Sequence, residues 1–148
     1  MKVKIKKLNE NALVPFKTYE QDFCYDVVAT SEEEVAPNVW KYGIGLAFQI
    51  ERCDLLLDKH NVSIDLRPRS SVWKTGMVLS NCQGTVDELF RGEVSAVFYH
   101  VFTNMGRYHV GDRIGQIKIG VTLPIEFEIV EELSETARGA GGYGSTGK

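Results

Sequence analysis

The chain has 148 residues, enough for one domain with a hydrophobic core and too few for two of ordinary size. Seventeen Lys and Arg against 20 Asp and Glu leave a net charge of -3, with 25% charged and 43% hydrophobic residues, which excludes a disordered chain and a broadly basic nucleic-acid coat. The longest run without a charged residue, 94–106, is well short of a membrane span, and the basic start Met1-Lys2-Val3-Lys4-Ile5-Lys6-Lys7 has no apolar signal core behind it, so neither a membrane partner nor secretion is expected.

In chain order, Val3 and Ile5 alternate with lysines, and Ile44, Leu46, Phe48 and Ile50 alternate in the same way, as half-buried strands do. Residues 54–59 have room for a single helical turn. Val62, Ile64 and Leu66 form the next strand, and Arg67-Pro68-Arg69-Ser70-Ser71 comes directly after it. A strand end carrying Arg and two hydroxyls suits an anion, although a surface turn has the same composition. The segment from Asn81 to Glu93, between two apolar runs, reads as a long β-hairpin in which Asp87 stands beside Phe90 and Arg91. A lone Asp in a hairpin is usually a turn former, but this hairpin is broad enough to hold a small flat ligand, with Asn81 offering amide donors and an acceptor. Residues 94–102 are apolar on both parities, as in a strand covered on two faces or lying at a subunit contact. The clearest alternation is Ile117, Ile119, Val121, Leu123, Ile125, Phe127 and Ile129, a strand at an edge or broken at Pro124. Turn signals lie at Pro37-Asn38, Lys59-His60-Asn61, Asn104-Met105-Gly106 and Gly111-Asp112, and no segment carries a convincing long helical period. The expected class is all-β: a sandwich, jelly roll or barrel.

Residues 1–130 are thus expected to form the core, and 131–148 an acidic linker and flexible arm of the same single domain. Five of the 14 glycines fall in the last ten residues. The tail matches a P-loop by letter, Gly142 and then Gly147-Lys148, but lacks the strand before, the helix after and the hydroxyl residue behind the Lys. Its residue types still suit a polyphosphate: backbone N–H groups, Ser145, Thr146 and Arg138, with Tyr143 able to stack on a base. His60, His100 and His109 show no metal-ligand spacing, and no nucleophile has a partner pattern, so any hydrolysis would use an activated water. Cys24, Cys53 and Cys82, odd in number and widely spaced, suit a reducing, cytoplasmic compartment.

Taken in order, five segments resemble the signature motifs of the trimeric dUTP pyrophosphatase (dUTPase) family. Phe23-Cys24-Tyr25-Asp26-Val27 is similar to the first and Pro68-Arg69-Ser70-Ser71 to the second. Gly84-Thr85-Val86-Asp87-Glu88-Leu89-Phe90-Arg91-Gly92 is similar to the third, Gly111-Asp112-Arg113-Ile114-Gly115-Gln116 to the fourth, and Arg138 through Gly147 to the fifth. The resemblance implies a distorted jelly-roll β-barrel, homotrimeric with a swapped C-terminal arm, that hydrolyses dUTP to dUMP and pyrophosphate with Mg²⁺, in a host cell if the chain is viral. It further implies Asp87 as the base for the attacking water, Phe90 under the deoxyribose, and Asn81, Thr85 and Val86 at the uracil edge. Arg69, Ser70, Ser71 and Gln116 would hold the phosphates, Asp26 would meet the metal through water, and Arg138, Tyr143, Gly144, Ser145 and Thr146 would close the site.

Four positions depart from the family pattern: Phe90 for the usual Tyr, Ser71 for Gly, Cys24 for Ala or Gly, and Tyr143 for Phe. Residues 53–61 add length before the second motif, as a surface loop or an altered subunit contact. A dCTP deaminase shares the fold and the Arg-Ser-Ser sequence, but its Glu would fall at Val97 and it lacks the glycine-rich motif. A non-catalytic nucleotide-binding relative would have no need of Asp87.

Overall fold

The computed structural model of the protein describes residues 1–52 and 60–142. The single-turn expectation at 54–59, most of the added length at 53–61, and Tyr143, Gly144, Ser145 and Thr146 lie outside the described residues.

Ten strands form: β1 Lys2–Lys7, β2 Tyr25–Val28, β3 Ser31–Ala36, β4 Val39–Gly43, β5 Leu46–Glu51, β6 Asn61–Arg67, β7 Met77–Leu79, β8 Gly84–Asp87, β9 Ser95–His100 and β10 Arg113–Thr122. They assemble as an antiparallel pair β1-β5 and two four-stranded antiparallel sheets, β2-β10-β6-β8 and β3-β4-β9-β7. The protein is all-β, and among the described residues the sheets do not close into one barrel. One 3-10 turn, Val72–Thr75, interrupts the strands. Gly76 ends it at φ 62°, where a Cβ would stand 2.5 Å from the Phe102 carbonyl oxygen, so no other residue fits without a shift.

Alternation is what makes the sandwich. Pairing Ile117 with Leu66, Ile119 with Ile64 and Val121 with Val62 turns these apolar side chains to one face. The interleaved pairs Gln116–Arg67, Lys118–Asp65 and Gly120–Ser63 turn to the other. The core between the sheets is built on Tyr42, Phe98, Ile44, Leu46, Leu66 and Ile114. In it Tyr42, Phe98 and Tyr108 meet edge to face at 5.5–6.2 Å between ring centres. The Tyr42 hydroxyl, buried with them, donates to the Tyr108 carbonyl at 2.8 Å, so the polar atom is not left unpaired.

Three expectations are corrected. Of the two expectations for the run from Ile117, the edge strand is overturned, since β10 lies between β2 and β6, while the break near Pro124 holds: the ladder ends at Thr122, and Leu123, Ile125, Phe127 and Ile129 are 66–100% exposed, with no N–H on Pro124 to give a ladder and no described strand alongside. The 81–93 segment is not a simple hairpin. Its flanks β7 and β9 do pair, but the excursion between them carries β8 across to β6 in the opposite sheet. Finally, of the two expectations for residues 94–102, cover on both faces does not hold within this chain: Ala96 and Phe98 on β9 are buried, while Tyr99 and, just past the strand, Val101 and Phe102 are more than half exposed.

Candidate active site

Motif residues gather at two places. At the first, Asp26 on β2 stands opposite Gln116 on β10, and its carboxylate is only 7% exposed. It accepts hydrogen bonds from Arg113 Nη1 at 3.0 Å and Gln116 Nε2 at 3.3 Å. Arg69 Nε lies 3.3 Å from the same carboxylate but is poorly aligned for a hydrogen bond, which leaves a buried cationic donor without a proper acceptor. Such a donor favours an incoming anion, since a buried unpaired donor costs about 1–3 kcal/mol.

Arg69 also separates two open recesses. One, of about 450 Å³, is walled by Tyr19, Phe23, Asp26, Arg113 and Gln116. The other, of about 420 Å³, is walled by Ser71, Lys74, Arg107, Tyr108 and Asp112. Ser71 starts the 3-10 turn, yet its hydroxyl does not cap it and so remains available to a ligand, as does the exposed Ser70. Arg107 is already engaged, donating to Glu32 at 3.0 Å and lying 3.5 Å over the Trp40 ring. Its hydrogen bond is the main reason the Glu32 carboxyl stays below the usual carboxylate range. Arg69, Lys74 and Arg113 are then the cations facing a ligand, an arrangement suited to a polyphosphate.

At the second place, β8 forms the far edge of the same sheet. Asp87 closes its ladder opposite Ser63, with Thr85 opposite Asp65 and Val86 opposite Ile64. Asp87 is exposed, and among the described residues its carboxylate accepts no hydrogen bond, so it is open to a water. The Asn81 amide lies over Gly84, its Nδ2 3.4 Å from where a Cβ would be. The Phe90 ring lies on Gly92, where a Cβ would stand 2.6 Å from Cζ. Arg138 is exposed and donates to the Gly141 carbonyl of its own turn at 2.9 Å.

The structure therefore joins Asp26, Arg69 and Gln116, sets Ser71 beside them, and groups Asp87, Thr85, Val86, Asn81 and Phe90 elsewhere. Asp26 and Asp87 sit on β2 and β8, opposite edges of the sheet β2-β10-β6-β8. Three strand spacings separate them by about 14 Å, and their rows lie four residues apart along the strands, about 13 Å more. Arg113 was missed as a site residue; its place within Gly111-Asp112-Arg113-Ile114-Gly115-Gln116 was the available signal.

Asp26 can serve a metal only from a distance. Among the described residues no three His, Cys, Asp or Glu side chains gather to ligate an ion. A carboxylate has about four lone-pair sites, and the two hydrogen bonds that Asp26 accepts from Arg113 and Gln116 leave room for a metal-bound water. The fit is to an ion held mainly by a ligand's own phosphates. Cys24 and Cys82 are free thiols. Among the described residues, no helix is long and apolar enough to cross a membrane.

The dUTPase family model matches residues 10–147. The deoxyuridine 5'-triphosphate nucleotidohydrolase of Nautilia profundicola is 37% identical over 150 residues, covering all of both chains. That of Clostridium novyi is 33% identical, covering 99% of each. Among solved structures, a Gly-to-Ser mutant of the Staphylococcus bacteriophage 80alpha dUTPase with dUpNHpp superposes with a TM-score of 0.78 at 20% identity, over 99% of both chains. An Asp-to-Asn mutant of the dUTPase from phage phi11 of S. aureus, with a structural Mg(II) ion, does so at 0.70 and 18% identity, over 91% of this chain and 100% of that one. With a family model spanning nearly its whole length and relatives alike from end to end, the chain belongs to the dUTPase family.

Proposed function

We propose a division of labour among these residues for the hydrolysis of dUTP to dUMP and pyrophosphate that membership of this family carries. The observation that carries it is the pair of chemically opposite places on one sheet: a cationic cluster built on a buried, imperfectly satisfied Arg69, and an unencumbered carboxylate at Asp87. Arg69, Ser70, Ser71 and Gln116 hold the triphosphate. Asp87 orients a water and takes its proton as the oxygen attacks the α-phosphorus; the bond to the bridging oxygen breaks and pyrophosphate leaves. Asn81 and the backbone of Thr85 and Val86 read the uracil edge, and the Phe90 ring on Gly92 fills the space a 2′-hydroxyl would need. A Mg²⁺ ion bound with the triphosphate would supply charge neutralisation there, and Asp26 would help to hold it through a water.

Asp26 and Asp87 are too far apart within one chain for a single nucleotide to meet both, which supports a homotrimer whose sites are shared. The exposed Leu123, Ile125, Phe127 and Ile129 have a natural destination in that assembly: an apolar groove of about 390 Å³ beside β1, lined by Val3, Ile5, Val14, Phe48 and Ile117. The unit is then a core over 1–130 and an arm over 131–148 whose Arg138, Tyr143, Gly144, Ser145 and Thr146 close a site on a neighbouring subunit. The protein works in the cytoplasm. The fifth motif and Val97 oppose a dCTP deaminase, and Asp87 opposes a non-catalytic binder.

Purified protein with Mg²⁺ should release pyrophosphate from dUTP much faster than from dTTP, dCTP or UTP; ammonia from dCTP, or silence on every nucleotide, contradicts this reading. Asp87→Asn should keep nucleotide binding and lose most turnover, because an amide is no base.

A further inference from the structure

The β8 ladder ends at Asp87, and the chain then leaves the sheet, so the ladder itself does not fix the path of residues 88–92. Three further contacts do. Phe90 N–H donates to the Asp87 carbonyl at 3.0 Å, closing a turn over 87–90. Arg91 Nη1 donates to the carbonyls of Glu88 at 2.5 Å and Phe90 at 2.9 Å. The third contact comes from 36 residues away: Arg52, just past β5, sets its guanidinium on Glu88, Nε to Oε1 at 2.7 Å and Nη2 to Oε2. Both side chains are about three-quarters covered. A planar two-pronged pair fixes direction as well as distance, which a single contact does not.

We propose that Arg52 and Glu88 are a positioning pair for Asp87, anchoring the turn that carries the base and keeping the adjacent negative charge of Glu88 from acting on it. The inference rests on the assignment of Asp87 as the base. The charged groups around that carboxylate are Glu88 and Arg91 on its own turn and Arg52 from the end of β5; β6 offers Ser63 opposite and the Asp65–Lys118 pair farther along the same face. Glu88 is charged, since the Arg52 hydrogen bonds hold its carboxyl below the usual range. Without Arg52 its charge would stand uncompensated beside Asp87, disfavouring the ionised base. A partly exposed ion pair of this kind contributes little to folding by itself, so its removal should show in turnover.

Pyrophosphate release from dUTP across pH, on Arg52→Ala, Arg52→Lys, Glu88→Gln and the exchange R52E/E88R, tests this. Arg52→Ala should lose on the order of tenfold in kcat, with KM nearly unchanged and the acid limb of the kcat profile moved to higher pH. Glu88→Gln, which weakens the anchor and leaves the Arg52 cation uncompensated, should lose kcat and move that limb the other way, to lower pH. Arg52→Lys should leave the limb in place and lose part of kcat, and R52E/E88R should recover kcat relative to either single reversal. Wild-type kcat and pH profile in both Arg52→Ala and Glu88→Gln, alongside an inactive Asp87→Asn, would overturn the positioning role alone. An active Asp87→Asn would overturn the base assignment and the pair's role with it. Since Glu88→Gln is nearly isosteric, it decides the matter even if Arg52→Ala does not fold.

Discussion

Asp26 shows how one buried carboxylate can organise a binding surface for the opposite kind of ligand. It orients the Arg113 and Gln116 side chains directly, and it lies close to Arg69 without satisfying it. A triphosphate arriving there meets donors already aimed, so little ordering remains to be done on binding. At the other place the decisive contact is steric. The Phe90 ring occupies the space in which any side chain at position 92 would begin. Gly92→Ala should therefore push the ring away and lower the dUTP-over-UTP preference in kcat/KM by on the order of tenfold; competition assays with the two nucleotides measure it. The individual residues of this site differ in how far sequence reveals them. Asp87 and Phe90 stand out because their neighbours form a recognisable string. Arg113 looks like an ordinary solvated cation on a strand until its carboxylate partner, 87 residues away, is known. The Arg52–Glu88 pair has no local signature at all.

Among the elements, β6 and β10 are the pair on which the sheet depends, and their polar face holds a buried ion pair. Lys118 Nζ donates to Asp65 at 2.8 Å, and Ser63 Oγ donates to the other carboxylate oxygen at 2.8 Å. Gly120 has no side chain there because a Cβ would stand 2.6 Å from Ser63 Oγ. Burial pushes the Asp65 carboxyl up, but the Lys118 and Ser63 hydrogen bonds outweigh it and hold the group below the usual range. A depressed folded-state value means stability present above the ordinary carboxylate pKa of about 4 and lost as pH falls below it. Lys118→Met should cost about 3–5 kcal/mol at neutral pH by leaving a buried charge unpaired. The deficit should shrink as acid protonates Asp65, and urea titrations at neutral and acid pH would measure both. Alternation made β6 and the first half of β10 legible. It misled beyond Thr122 because period two reports a face to be covered and says nothing about whether the cover belongs to the same chain. The crossing of β8 to the opposite sheet was illegible for a related reason: β7 and β9 pair as a hairpin would, whatever path the intervening residues take.

At the scale of the whole molecule, the cationic cluster and Asp87 lie on opposite edges of one sheet, and the proposed division of labour therefore draws on more than one chain. Co-refolding inactive Asp87→Asn chains with inactive Arg69→Ala chains should therefore restore measurable dUTP turnover, because some junctions pair an intact Asp87 from one chain with an intact Arg69 from another. No recovery in mixed oligomers would place both groups in a single chain's site. Composition revealed none of this, since a mildly acidic chain with three cations gathered at one spot has the same totals as one with them scattered. The separation of the two edges also has a physiological side. On the proposed shared site, a newly made chain would be inert toward nucleotides until it meets its fellows, so at low abundance catalytic output would rise faster than in proportion to the amount of protein made. Expression would then act as a threshold, and a chain with a sound interface but one dead motif would remove one shared site and leave the others in its oligomer working.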